Sequence, residues 1–210
     1  MKPVAILGGT FNPIHHGHLR AAIEIKETLD LAAVHMIPLF APPHRDPPEV
    51  SANLRLEMLQ AAIDDESDLI ADDREIRRGG ISFTIDTLHA LRTEKGETPL
   101  CMIVGTDAFA HLHTWRDWEQ LIKLAHIIVV HRPGSGLPEG VIANKLIKEA
   151  GTEKIKDLHN APAGCFMSIS IPMLEISSTQ IRSILQNGRN PNYLLPESVL
   201  KIIRREKIYL

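Results

Sequence analysis

The sequence predicts an α/β fold, a Rossmann-like parallel sheet flanked by helices with a small helical portion at its C-terminal end. Two observations predict it. Short apolar runs alternate with longer segments of helical period along the chain. The first run, Val4-Ala5-Ile6-Leu7, ends in a glycine turn that opens a helix, Gly8-Gly9-Thr10-Phe11-Asn12-Pro13-Ile14-His15-His16-Gly17-His18. A strand, a glycine turn and a helix start are the parts of a phosphate-binding α/β unit. The spacing is neither that of the dinucleotide fingerprint nor that of the P-loop. Two histidines stand where those motifs have glycine, lysine or serine.

Val4–Leu7 reads as a buried strand, short and closed by glycines. Leu19, Ala22, Ile23 and Leu29 then recur at helical spacing. Val34–Phe40 is the next strand-like run. Residues 41–48 carry four prolines, which exclude helix and central strand. Ser51 is a helix N-cap ahead of Leu54, Met58, Leu59 and Ile63. Leu69–Ile76 reads as a third, more exposed strand, and 77–80 as a basic turn. Ser82 or Thr84 then caps a helix carrying Ile85, Leu88 and Leu91. Leu100–Val104 is a fourth strand, closed by Gly105-Thr106-Asp107. Residues 115–124 read as helix, and Ile127–Val130 as a fifth strand. Residues 135–165 are the least readable, with a helix over 141–150. Phe166–Ile171 alternates as a sixth strand. Ser177-Ser178-Thr179 opens a helix stopped by Gly188, and Pro196 opens a last amphipathic one. One domain over 1–210 is expected, with its helical segment at about 177–210.

Composition narrows the function classes. Apolar residues make up 44% of the chain and charged ones 23%, the mix of an ordinary soluble protein. A net charge of −3 disfavours nucleic acid and membrane surfaces as partners. The absence of a long apolar run points to a cytoplasmic protein. Cys101 lies in an apolar run and reads as a buried thiol.

Ligands of a parallel sheet sit beyond the carboxyl ends of its strands. That rule gathers 8–18, 41–45, 105–107, 131–134 and 172–182 into one cleft. His15 and His18, three residues apart at a helix mouth, can point at one anion together with the backbone N–H groups there. A zinc pair or plain surface histidines are the competing readings. Ser177-Ser178-Thr179 with Arg182 one turn on makes a second anion site, against which stands a plain helix cap with a surface arginine. Two helix starts, two histidines and an arginine suit a triphosphate.

These motifs carry a resemblance. Gly8-Gly9-Thr10-Phe11-Asn12-Pro13 with His15-x-Gly17-His18, and Ile176-Ser177-Ser178-Thr179-x-Ile181-Arg182, resemble the HxGH-type nucleotidyltransferases. Pro42-Pro43-His44-Arg45, Ser82-Phe83-Thr84-x-x-Thr87-Leu88, Gly105-x-Asp107, Thr114-Trp115, Arg132-Pro133-Gly134 and the segment from Tyr193 to Tyr209 resemble bacterial nicotinate-nucleotide adenylyltransferases. The similarity spans the chain apart from 135–165.

The resemblance implies adenylyl transfer from ATP to nicotinate mononucleotide, giving deamido-NAD and pyrophosphate. It implies catalytic roles for His15, His18 and Arg182. ATP would be bound by Gly8, Gly9, Thr10, Phe11, Gly17, Asp107, Ser177, Ser178 and Thr179. The acceptor would be bound by His44, Arg45, Thr84, Trp115, Arg116 and Arg132. Mg²⁺ would come on the ATP phosphates, with no metal site of the protein's own. Trp115 reads equally as a core residue, Asp107 as a helix cap, and Arg45 and Arg132 as solvated charges. Phe83 stands where the family has tyrosine, so a hydroxyl contact is missing. Nicotinamide mononucleotide as acceptor, a phosphopantetheine acceptor and a nucleotide-binding module without turnover are the alternatives. Homo-oligomerisation is left open.

Overall fold

The computed structural model describes residues 1–43, 48–138 and 140–210. Six strands form one sheet: β1 (Val4–Gly9), β2 (Ala33–Pro38), β3 (Leu69–Ala71), β4 (Leu100–Gly105), β5 (His126–His131) and β6 (Phe166–Ser170). Their order is β3-β2-β1-β4-β5-β6, and every pairing is parallel. The order reverses between β1 and β4, and a crevice opens at such a switch point beyond the strand ends.

Helices cover both faces. α1 (His16–Thr28), α2 (Ala52–Ala62), α9 (Ser178–Gln186) and α10 (Glu197–Glu206) lie on one side; α4 (Thr84–Lys95), α5 (Thr106–Ala110), α6 (Trp118–Leu124) and α7 (Val141–Ala150) lie on the other. Alternating strand residues feed the two cores. Ala5, Val34, Met36, Cys101, Ile103 and Ile128 pack with the first set. Ile6, Ile37, Met102, Val104, Ile127 and Val129 pack with the second. This is the period-2 geometry of a strand buried on both faces. No helix among the described residues is long and apolar enough to cross a membrane. Both cysteines are free, and burial pushes the Cys101 thiol up to about 12.

Several local expectations hold in detail. Ser51 Oγ accepts the Leu54 N–H at 3.3 Å. Gly188, at φ +64°, takes the left-handed residue after α9, and the Arg189 N–H reaches back to Ile184 O at 2.9 Å, closing the helix end.

Three boundaries differ from the sequence reading. The third strand stops at Ala71, and residues expected to extend it or to turn form α3 (Arg74–Arg78). Asp72 causes the break: its carboxylate accepts the Arg74 N–H at 3.1 Å and the Arg74 Nε–H at 2.8 Å. An acidic start and basic end, Glu75 against Arg77 and Arg78, then suit the helix dipole. Neither Ser82 nor Thr84 caps α4. Thr84 is its first residue, and the Ser82 hydroxyl accepts the Phe40 N–H at 2.9 Å. Trp115 precedes α6, following a short 3-10 turn at Leu112–Thr114. In the stretch that resisted reading, α7 occupies 141–150 as expected and α8 (Ile155–Asn160) follows it.

Candidate active site

β1 ends in Gly9, and the next residues leave the sheet in an unusual path. Phe11 has φ +46°, a region costly to a bulky residue. Its ring is buried and meets the His18 ring edge-on, with centroids 5.1 Å apart. A Cβ on Gly9 would come within 2.8 Å of that ring, so only glycine fits there. His15 is the residue before α1, and its ring stacks on His18 with centroids 3.7 Å apart. Gly17 lets the two close up: a Cβ there would meet His15 Nδ1 at 3.0 Å and the Ile176 carbonyl at 3.3 Å.

Burial makes both rings neutral. Desolvation, aided by the neighbouring histidine, lowers the pKa of His15 to about 4 and of His18 to about 3. Nδ1 of each ring is enclosed without a hydrogen-bond partner among the described residues. Nε2 of each ring is not among the buried, unpartnered atoms. At the helix start, the His16 N–H is taken by Leu194 O at 3.1 Å and the His18 N–H by His15 O at 3.0 Å. The Gly17 N–H makes no hydrogen bond among the described residues.

The second motif closes onto the same turn. Ser177 caps α9 by accepting the Gln180 N–H at 3.1 Å. Ser178 Oγ donates to Pro13 O at 2.9 Å. Arg182 donates to Asn12 O at 2.7 Å and to Thr179 Oγ1 at 3.3 Å. The Tyr209 hydroxyl donates to Asn12 Oδ1. A cationic guanidinium, two neutral imidazoles and a free backbone N–H therefore surround one turn.

Beside it, at the β1–β4 switch point, lies a cavity of about 810 Å³. Gly8, Gly9 and Thr10 form one wall. Gly105, Asp107, Ser82, Thr84, Thr87, Trp115 and Arg116 also line it. Its size and its largely apolar walls with a few polar groups are those of a small-molecule site. Trp115 belongs both to this lining and to the core behind it. Arg116 stacks over the Phe83 ring at 4.0 Å and pairs with Asp86. Asp107 sits in the first turn of α5 without a capping hydrogen bond.

The expected site residues thus fall into two joined groups. His15, Gly17, His18, Ser177, Ser178, Thr179 and Arg182 gather at the turn. Thr84, Asp107, Trp115 and Arg116 gather at the cavity, and Gly8, Gly9 and Thr10 belong to both. Phe11 contributes its buried ring as a support for His18. Arg132 lies outside the cavity lining and pairs with Glu175 at 2.5 Å. His44 and Arg45 lie outside the described residues. Among those described, no three His, Cys, Asp or Glu side chains converge as a metal cage.

Sequence reasoning missed Glu75, which is buried and also lines the cavity. It accepts the Thr87 hydroxyl at 2.5 Å, and its Oε2 has no hydrogen-bond partner among the described residues. Burial pushes its pKa up. Arg55, the other omission, had a legible signal: it shares the α2 stripe with Met58 and Leu59.

Residues 6–184 match a family model described as cytidylyltransferase-like. A protein of Marinobacter nauticus (strain ATCC 700491 / DSM 11845 / VT8), named "Probable nicotinate-nucleotide adenylyltransferase", is 47% identical over 205 residues, covering 97% of this chain and 95% of its own. One of the same name from Methylococcus capsulatus (strain ATCC 33009 / NCIMB 11132 / Bath) is 42% identical, covering 98% of this chain and 99% of its own. The fold is that of Plasmodium falciparum nicotinic acid mononucleotide adenylyltransferase complexed with NaAD: TM-score 0.74 at 18% identity, covering 100% of this chain and 98% of that one. With near-complete coverage in both directions and the motif turn intact, the chain belongs to the nicotinate-nucleotide adenylyltransferase family of cytidylyltransferase-like proteins.

Proposed function

We propose that the protein transfers the adenylyl group of ATP to the 5′-phosphate of nicotinate mononucleotide, giving deamido-NAD and pyrophosphate, a step of NAD biosynthesis in the cytoplasm. The observation that carries this is the junction at Gly8–Thr10. These residues end β1 and begin the turn that carries His15 and His18, and they also form one wall of the Trp115 cavity. A phosphate-binding group and an aromatic-lined pocket share one stretch of backbone, as joining two nucleotides requires.

An acceptor phosphate oxygen attacks the α-phosphorus of ATP. The bond from that phosphorus to the bridging oxygen breaks, and its electron pair leaves with pyrophosphate. The phosphate is already an anion at neutral pH, so no base has to remove a proton. The protein's task is alignment and charge neutralisation. Alignment alone supplies roughly 7–11 kcal/mol in well-oriented systems.

His18 and His15, being neutral, each offer a hydrogen bond through Nε2 without a buried charge to desolvate. Arg182 supplies the cation, with the Gly17 N–H and the mouth of α9 as further donors. Mg²⁺ enters on the ATP phosphates as part of the substrate and neutralises charge there. Trp115 stacks on the pyridine ring, and Thr84 with the backbone at Arg116 receives its carboxylate. Asp107 contacts the nucleotide. Arg132, on its exposed loop, would have to leave Glu175 to reach the acceptor phosphate; His44 and Arg45 are assigned to the acceptor by the motif they occupy.

Pyrophosphate release from Mg·ATP, measured side by side with nicotinate and nicotinamide mononucleotides, tests the proposal. Faster turnover with the nicotinate form is expected. Preference for the amide would move the assignment to that acceptor, and no release with either would overturn adenylyl transfer.

A further inference from the structure

Arg55 ties the two halves of the site together. It projects from α2 into the protein and is 1% exposed. Its Nε–H donates to Val50 O at 3.2 Å. Nη1 donates to Thr10 O at 2.6 Å, and Nη2 to Leu39 O at 2.6 Å and Phe40 O at 3.3 Å. All four acceptors are backbone carbonyls. Among the described residues no carboxylate pairs with it, and burial lowers its pKa.

Stability alone does not account for such a residue. An apolar side chain of like volume would fill the space without removing a cation from water. The carbonyls it binds suggest what is gained. Thr10 follows the glycines of the phosphate-binding turn. Leu39 and Phe40 end the β2 side of the cavity, and both Thr10 and Leu39 line it. The connection continues: the Ser82 hydroxyl holds the Phe40 N–H at 2.9 Å, and the Ser82 N–H donates to Ala41 O at 2.9 Å. Two residues on, Thr84 begins α4 and lines the cavity, forming with Ser82 the wall assigned to the acceptor. One rigid fork therefore joins the phosphate turn to the segment that anchors the acceptor wall. Lysine carries its three N–H donors on one nitrogen at the end of a flexible stem, and so cannot span the carbonyls that Nε, Nη1 and Nη2 of the fork reach.

We propose that Arg55 is a positioning residue that sets the distance between the phosphate-binding turn and the acceptor wall, an assignment that rests on the adenylyl-transfer reading above. In-line transfer is sensitive to that distance. A misplacement of about 1 Å costs on the order of 100-fold in rate, while each substrate still finds its own half of the site.

The test separates binding from chemistry. Arg55→Lys and Arg55→Ala are compared with the unaltered protein for circular dichroism, for binding of a non-hydrolysable ATP analogue alone and of nicotinate mononucleotide alone, and for turnover. Each binary affinity is expected to stay within about threefold, while kcat falls by roughly 30-fold or more. Guanidinium at low millimolar concentration is expected to restore part of the Arg55→Ala rate by refilling the vacated space. Folded variants with kcat within about threefold of the unaltered protein would overturn the assignment, as would binary affinities that fall in step with kcat. If Arg55→Ala does not fold, Arg55→Lys decides by the same split; if neither folds, Arg55 is a folding residue and the assignment is wrong. The unaltered protein separates the two failures. If it is silent, the proposed reaction falls and takes this assignment with it; if it is active with equally active variants, only the assignment falls.

Discussion

His15 and His18 lie ring on ring, their centroids 3.7 Å apart and their planes 25° from parallel. Burial pushes both imidazoles well below the usual histidine range, so the stacked pair is uncharged at neutral pH. Phe11 holds the far edge of the stack and Gly17 clears room for it. The arrangement of the two rings is thus fixed by the packing of the turn itself.

His18→Ala is expected to lower kcat by 100-fold or more while the fold survives. That corresponds to the roughly 2.7–4 kcal/mol lost with one preorganised donor to a developing oxyanion. Steady-state kinetics beside a circular dichroism spectrum checks it; near-normal turnover would remove His18 from the reaction.

Stability is expected to fall with acidity in a defined window. Unfolded histidine takes up a proton near pH 6.5, whereas the folded rings resist until about 4 for His15 and 3 for His18. Between those limits the unfolded chain holds more protons, so the stability present above about pH 6.5 is lost as pH drops. Each ring contributes a slope of about 1.4 kcal/mol per pH unit. Urea titrations of the protein and of His15→Gln across this range should differ in slope by about one proton; parallel curves would mean that His15 is not held neutral.

Gly17→Ala, a single added methyl, is expected to cut activity by 10-fold or more, on the order of what a displaced catalytic donor costs. The new carbon has to push either the His15 ring or the Ile176 carbonyl away. Both belong to the anion site, so kcat should suffer more than thermal stability. A crystal structure of an active variant with both contacts unmoved would refute this.

Trp115→Ala should act on binding. Loss of the stacking face is expected to raise KM for the mononucleotide by roughly 10-fold, in line with about 1–3 kcal/mol for an aromatic stack on a base. KM for ATP should change little. An unchanged acceptor KM would return Trp115 to a purely structural place in the second core.

Thr87→Val removes the hydroxyl that Glu75 accepts. Among the described residues Glu75 Oε2 has no hydrogen-bond partner, so the substitution takes a hydrogen bond from a buried carboxyl that is already under-satisfied. A loss of about 1–3 kcal/mol is expected, read from thermal or chemical unfolding. The loss should be smaller in Glu75→Gln/Thr87→Val than the two single changes together predict.

The sheet and most helices were legible because their signals are local. Val4–Leu7, Leu100–Val104 and Ile127–Val130 are apolar runs too short for helices, and Ser51, Ser177 and Gly188 carry their own capping chemistry. The error at 69–78 came from reading Leu69-Ile70-Ala71 onward as one element. The acidic pair Asp72-Asp73 was the boundary, since a carboxylate that caps the following backbone ends a strand as surely as a proline does.

The turn was legible for a different reason: both of its motifs are contiguous in sequence. Arg55 and Glu75 were not read because their roles depend on carbonyls and hydroxyls brought in from other segments. For Arg55 the helical period already placed a charge among buried residues. That mismatch was the clue, and only the fold supplies the four carbonyls that resolve it.

The hydrogen bond from Tyr209 to Asn12 has a consequence for the order of events on the ribosome. Asn12 is made 197 residues before its partner. Arg182, which fixes the carbonyl of the same Asn12, also comes late. A nascent chain can pair β1 with β2 early, yet the turn between β1 and α1 keeps unsatisfied groups until α9 and the Tyr209 segment arrive. Translation and completion of the turn are thereby separated: a growing chain carries Asn12, beside the first histidine motif, for 170 residues before the Arg182 contact can form and for 197 before the Tyr209 contact can.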